Sequence, residues 1–382
     1  MTAAWSLVVG VPVAALLLLG YALRPRDRAH VTAPLRLAAV RAALAVGAYA
    51  VLAVEVAGAF GALTRPVIGS VWLAGAGLAA ALAAARRRRD RDRGARVGTA
   101  TPARAPTARA WLPAGRLEWL LVGTLGALLL AEASLALLAE PNNYDSQTYH
   151  LPRVEHWVAQ RDVGFYPTAI HRQVTLAPGA EYLLLHLRLL TGGDALHHLV
   201  QWAAGLGCLL VASRIAAQLG GSRIAQIVTA FVVGTTPMVV LQASSTQNDL
   251  VAAAWTACVG TLALDGLVRR ATAGSVLSLG TAVGLTAITK NSGLLAAGPL
   301  LALWAAGQFR QWARRPATDG AAGREPAPRR SSTWQAYAGS AAVTAAAAAG
   351  ALVVAAALVG PFMTRIAAEF DHPLGPPVLR ES

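Results

Sequence analysis

Residues 117–194 read LEWLLVGTLGALLLAEASLALLAEPNNYDSQTYHLPRVEHWVAQRDVGFYPTAIHRQVTLAPGAEYLLLHLRLLTGGD, an apolar block that gives way abruptly to a polar one. A bilayer core is roughly 30 Å thick, and a spanning helix needs about 20 mostly apolar residues because lipid offers no partner to an unpaired backbone N–H or C=O. Residues 117–139 meet that length. The block is therefore a membrane span, and residues 140–194 form a large loop at the membrane surface.

The same pattern recurs along the chain. Apolar blocks at 5–23, 37–62, 66–85, 195–219, 224–241, 250–268, 276–289, 293–309 and 335–359 predict, with 117–139, ten spanning helices. The block at 276–289 is short enough to be a tilted or partly re-entrant element. With 55% hydrophobic and only 14% charged residues, and a mean hydropathy of +0.49, the fold class is an all-α, polytopic membrane protein.

A net charge of +14 would suit nucleic acid, but the arginines sit in particular loops. Arg24, Arg26 and Arg28 follow the first block, Arg86 and its neighbours through Arg96 the third, and Arg310, Arg314, Arg315, Arg329 and Arg330 the ninth. Such loops are cytoplasmic by the positive-inside rule. Alternation then puts both termini and the 141–193 segment on the extracytoplasmic side of a cell membrane. Topology explains the charge, so no nucleic-acid role is expected. Cys208 and Cys258 lie inside apolar blocks and read as small apolar residues.

These features divide the chain into three N-terminal spans (1–85), a disordered basic cytoplasmic linker (86–116), a membrane core (117–376) with a second cytoplasmic linker at 310–334, and a short tail (377–382). Among the first three spans Glu55 stands out. An acid in a span is a candidate functional group, but the sequence offers it no obvious partner, and packing against a neighbour is the readier expectation.

Within the loop, residues 146–160 can form a helix with His150, Arg153 and Trp157 on one face and Leu151, Val154 and Val158 on another, lying along the interface. Residues 178–190 form a second helix, ended by Gly192 and Gly193, after a polar turn with His171, Arg172 and Gln173. Asp145 falls just after the fourth span, where its carboxylate either acts as a general base or caps the helix that follows. His150, Arg153, His171 and Arg172 suit a phosphate, since guanidinium binds oxyanions bidentately; alternatively they solvate the loop or touch lipid headgroups.

Two more places return to the same side. Ser244 to Asp249 precede the seventh span, so Asn248 or Asp249 either caps that helix or supplies a second carboxylate that orients an acceptor or helps hold a divalent cation. Lys290, in TKNS, is the only lysine among 33 basic residues. It either snorkels to headgroups or pairs with a substrate phosphate.

The order of these features resembles the GT-C membrane glycosyltransferases, in particular the dolichyl-phosphate-mannose-protein mannosyltransferase-like and aminoarabinose-transferase-like group. The resemblance spans residues 117–376: Asp145 in NNYDSQTYHLPR, helices in the same loop, Asp249 opening a later span, and Lys290 in TKNSGLL. It implies a polyprenyl-phosphate-linked sugar as donor, an outer-face active site, a protein or glycan acceptor, and inversion at the anomeric carbon. On this resemblance Asp145 stands at the catalytic aspartate, and Lys290 with the loop arginines at the lipid phosphate. Two other classes stay open. A transporter or flippase of a lipid-linked substrate would add repeat symmetry and broken helices, and a short or non-catalytic relative would keep the fold without the reaction.

Overall fold

The computed structural model describes residues 10–26, 30–96, 113–313, 333–373 and 375–376. Among them the chain is helical throughout, without strands. Four helices precede the loop: α1 (Val11–Ala22), α2 (Pro34–Ala59), α3 (Arg65–Arg96) and α4 (Arg116–Leu138). The loop holds a π-helical turn (Ser146–His150), α5 (Leu151–Gln160), the single turn α6 (Arg172–Thr175) and α7 (Gly179–Thr191). After it come α8 (Leu199–Gln218), α9 (Arg223–Gly234), α10 (Pro237–Ala243), α11 (Asp249–Val268), α12 (Ala273–Thr289), α13 (Gly293–Ala313) and α14 (Thr333–Phe370).

Six of these helices are long and apolar enough to cross a membrane, seven if α9 and α10 count as one span. Among the described residues, six or seven of the ten expected spans are shown in this way. At 1.5 Å per residue α12 reaches only about 26 Å, short of the bilayer core, and the expected first span at 5–23 lies partly outside the described residues. The expected single helix at 224–241 is broken by 65° between α9 and α10. Pro237 explains the break: the residue before a proline is driven out of the helical region, and Thr236 is extended (φ −62°, ψ 125°). Thr235 and Thr236 hydroxyls donate back to the carbonyls of Phe231 and Val232, which closes the end of α9.

The first linker is partly helical as well. α3 runs on through the arginines to Arg96, because Arg and Ala are strong helix formers that need no apolar partner to continue an existing helix. Residues 97–112 and 314–332 of the two expected linkers, and the tail at 377–382, lie outside the described residues.

Exposed leucines mark the outside of the assembly: Leu120, Leu130 and Leu138 of α4 are all more than half exposed, as expected of a lipid-facing surface. Inside, small residues let helices meet. A Cβ on Gly284 of α12 would come within 2.9 Å of the Ala355 Cα of α14, so only glycine permits this crossing.

The loop helices are docked onto the spans. α7 buries ten of its thirteen residues, so the second expected loop helix is packed against its neighbours. Trp72 of α3 donates to His186 Nδ1 at 3.1 Å, and His186 Nε2 therefore carries the proton it gives to the Ala50 carbonyl of α2 at 2.9 Å. Arg65 donates to the Leu190 and Thr191 carbonyls at 2.9 and 3.3 Å, satisfying acceptors that the end of α7 leaves open. Glu55 does have partners. Tyr182 of α7 donates to it at 2.6 Å, and Arg365 of α14 contacts both its oxygens and the Tyr182 hydroxyl. The acid that stands out among the first three spans thus ties three helices together.

Candidate functional site

Asp145 opens the loop in a helical conformation (φ −64°, ψ −41°), and its side chain caps nothing. Asn143 takes that role: its Oδ1 accepts the Ser146 N–H at 2.8 Å. The Asp145 carboxylate is left half-buried and receives a hydrogen bond from Gln247 Nε2 at 3.3 Å, across 102 residues of sequence. Tyr149 joins it one turn later. Burial and the hydrogen-bonded Asp145 carboxylate push its phenol above the ordinary range, with Arg172 acting in the opposite sense. Arg172 is exposed at the start of α6 beside His171, which is also exposed.

Gln247 belongs to the turn before α11, and that turn brings the other expected residues to the same end of the molecule. Asn248 makes no capping bond; its Nδ2 donates to the Thr289 carbonyl at 3.3 Å, joining the start of α11 to the end of α12. Asp249 is the first residue of α11, where a carboxylate is favoured by the helix dipole. Its Oδ1 accepts from Lys290 Nζ at 2.6 Å. Lys290 follows α12 and precedes α13, so this ion pair joins the start of α11 to the turn between α12 and α13.

The close approach of α7 to this place depends on Gly179. A Cβ there would lie 2.6 Å from Thr289 Oγ1 and 2.9 Å from the Ile288 carbonyl. Next to it, Glu181 is wholly buried. His150 Nδ1 donates to Glu181 Oε1 at 2.9 Å, and Arg153 stands 3.7 Å from the same oxygen. Burial works against ionising Glu181, but His150 and Arg153 outweigh it and hold the carboxyl below its usual range. Arg153 also donates to the Leu176 carbonyl at 2.8 Å and lies over the Trp157 ring.

The expected site residues therefore separate into two sets. Asp145, His171, Arg172, Asp249 and Lys290 reach the surface at one end of the assembly, whereas His150 and Arg153 point inward and hold α5 against α7 through Glu181. Sequence reading missed Gln247, Tyr149 and Glu181. Glu181 had a signal in the sequence, an acid in the first turn of an otherwise leucine-rich helix, while Gln247 is identified only by its long-range contact with Asp145. Asp249 is engaged by Lys290, and among the described residues no group of three or more His, Cys, Asp or Glu gathers as metal ligands.

No protein family matches the chain, and neither a curated protein nor a solved structure does.

Proposed function

We propose that the protein moves a sugar from a polyprenyl-phosphate donor to a hydroxyl of a protein or glycan acceptor, with inversion, at the extracytoplasmic face of a cell membrane. One observation carries the reading: an uncapped, half-buried carboxylate, Asp145, held by Gln247 beside the Asp249–Lys290 pair at one end of an apolar helical assembly. Asp145 takes the proton of the acceptor hydroxyl as its oxygen attacks the sugar C1. The bond from C1 to the phosphate oxygen breaks, and its electron pair leaves with the polyprenyl phosphate. No general acid is needed, because a phosphate is already a stable leaving anion.

Lys290 and Arg172 meet that anion. An ammonium has three donors and the Asp249 contact uses one, so Lys290 keeps two for phosphate. Asp249 also holds the ammonium in place before substrate arrives, which lowers the ordering cost of binding. The test is incubation of the purified protein with a panel of radiolabelled polyprenyl-phosphate sugars and scoring of label in acceptor. If no donor yields transfer, the reading is wrong.

A second reading, movement of a lipid-linked substrate across the bilayer, draws on the 65° break between α9 and α10. Proteoliposomes discriminate: translocation of a fluorescent lipid-linked sugar that is unaffected by Asp145→Asn supports transport over transfer.

A further inference from the structure

At the end of the assembly away from Asp145, the helices enclose a cavity of about 520 Å³. Its wall comes from the end of α1, the first turns of α2, the end of α3, the turn between α11 and α12, and the end of α13. Asp265 on this wall is sixteen residues along α11 from Asp249, or roughly 24 Å along the helix axis. The cavity is thus separate from the proposed transfer site.

Among the described residues six arginines line it, Arg24, Arg26, Arg41, Arg86, Arg269 and Arg270, against the single carboxylate of Asp265. That carboxylate is already neutralised. Arg214 donates to both its oxygens at 3.0 and 2.9 Å, and Gln218 donates to Oδ1 at 2.8 Å. Three of the arginines are also engaged: Arg86 with Asp90 at 3.0 Å, Arg270 over the Trp312 ring, and Arg24 over Tyr21. Arg41 and Arg269 neither donate a side-chain hydrogen bond nor form an ion pair among the described residues. Arg41 lies roughly 10 Å into α2, a helix apolar enough to span a membrane. A guanidinium at that depth needs a partner that offsets its desolvation, and the Asp265 carboxylate on the same wall is already hydrogen-bonded by Arg214 and Gln218.

The geometry points to a second binding site, in this cavity, for a phosphate group, with Arg41 and Arg269 as its principal donors. Planar guanidinium forks match phosphate oxygens in pairs, and converging positive charge at a low-dielectric wall focuses on an anion. The volume exceeds a bare ion and is in the range of small-ligand pockets, so it accommodates the group that bears the phosphate. That group is either the headgroup of an anionic lipid or a soluble phosphate compound.

The experiment is thermal unfolding of the full chain in nanodiscs. In phosphatidylcholine discs, inorganic pyrophosphate is titrated; in a second series, phosphatidylglycerol replaces part of the phosphatidylcholine. A saturable rise of the unfolding midpoint with pyrophosphate assigns a soluble phosphate, and a rise with phosphatidylglycerol alone assigns a lipid. Combining Arg41→Gln with Arg269→Gln should weaken the responding ligand by at least about a hundredfold, since two charge-assisted contacts are lost. Combining Arg88→Gln with Arg89→Gln, exposed residues of α3 that do not line the cavity, should leave the response within about twofold. If the Gln pair does not fold, Arg41→Lys with Arg269→Lys keeps the charge, loses the forks, and should still bind at least several-fold more weakly. Absence of a saturable rise in both series, or equal losses in the cavity and control variants, overturns the assignment.

Discussion

Lys290 Nζ lies 2.6 Å from Asp249 Oδ1, with the two side chains 39% and 42% exposed. An ion pair this open to solvent contributes only about 0–1 kcal/mol to stability. Its consequence is positional: the chain's only lysine is held at a defined point beside the turn that carries Gln247 and contacts Asp145. A phosphate that arrives there meets a cation already placed.

Lys290→Met keeps the apolar stem and removes the ammonium, so donor affinity should fall about tenfold or more while the unfolding midpoint barely moves. Lys290→Arg restores the charge with a bulkier planar head and should recover part of that loss. Donor binding and turnover of the three proteins side by side decide the matter; equal affinities for Lys and Met would remove Lys290 from the site.

Glu181 is the hinge of a buried network, and its loss is a stability effect. Glu181→Gln leaves His150 and Arg153 facing an uncharged amide with no exposure to water. Removing one partner of a buried ion pair costs about 3–5 kcal/mol. The unfolding midpoint should drop by many degrees, and a drop of less than about one degree would show that the network carries little of the packing between α5 and α7.

Acid should loosen the same region. Burial pushes His186 down to about 4, and burial likewise pushes His197, beside α8, down to about 4. Both are neutral in the folded chain while the unfolded chain protonates near 6.5, so the unfolded state binds more protons between these values. Stability is then unaffected above about 6.5 and falls as pH drops toward 4, by on the order of 2–3 kcal/mol for each histidine. Unfolding midpoints at pH 7.5, 5.5 and 4.5 report this, and His186→Gln should flatten the slope. A flat profile in the parent protein contradicts it.

The apolar blocks were legible because length and hydropathy suffice to identify long helices, and α2, α4, α8 and α11 fall within a few residues of expectation. The two loop helices were legible as well, through the Pro178 start and the Gly192 stop of α7, where Gly192 adopts φ +78°. What the sequence concealed was partnership. Glu55 finds Tyr182 at a separation of 127 residues and Arg365 at 310, and no local pattern encodes such contacts. For the same reason His150 and Arg153 read as phosphate ligands: a cation in a surface loop looks alike whether it faces water or a buried glutamate. The break before Pro237 was readable in principle, since proline disfavours a helical residue before it, but the continuous apolar run masked it.

If the arginine-rich loops face the cytoplasm, as the sequence leads one to expect, Asn142 and Gly274, both exposed, lie on opposite sides of the membrane. With Cys208 and Cys258 buried, Asn142→Cys should react with an impermeant thiol reagent in intact cells, and Gly274→Cys only after the membrane is opened. The reverse pattern would put Asp145 on the wrong side for an extracytoplasmic acceptor.

The central claim is that Asp145 is the base in sugar transfer, and single-turnover transfer from a radiolabelled polyprenyl-phosphate sugar by the parent protein and by Asp145→Asn tests it most directly. The amide preserves shape and can still contact Gln247, but it cannot accept the acceptor's proton. The account predicts that the rate falls by about a hundredfold or more while donor affinity stays within a few-fold. Transfer by Asp145→Asn at the parental rate would contradict it.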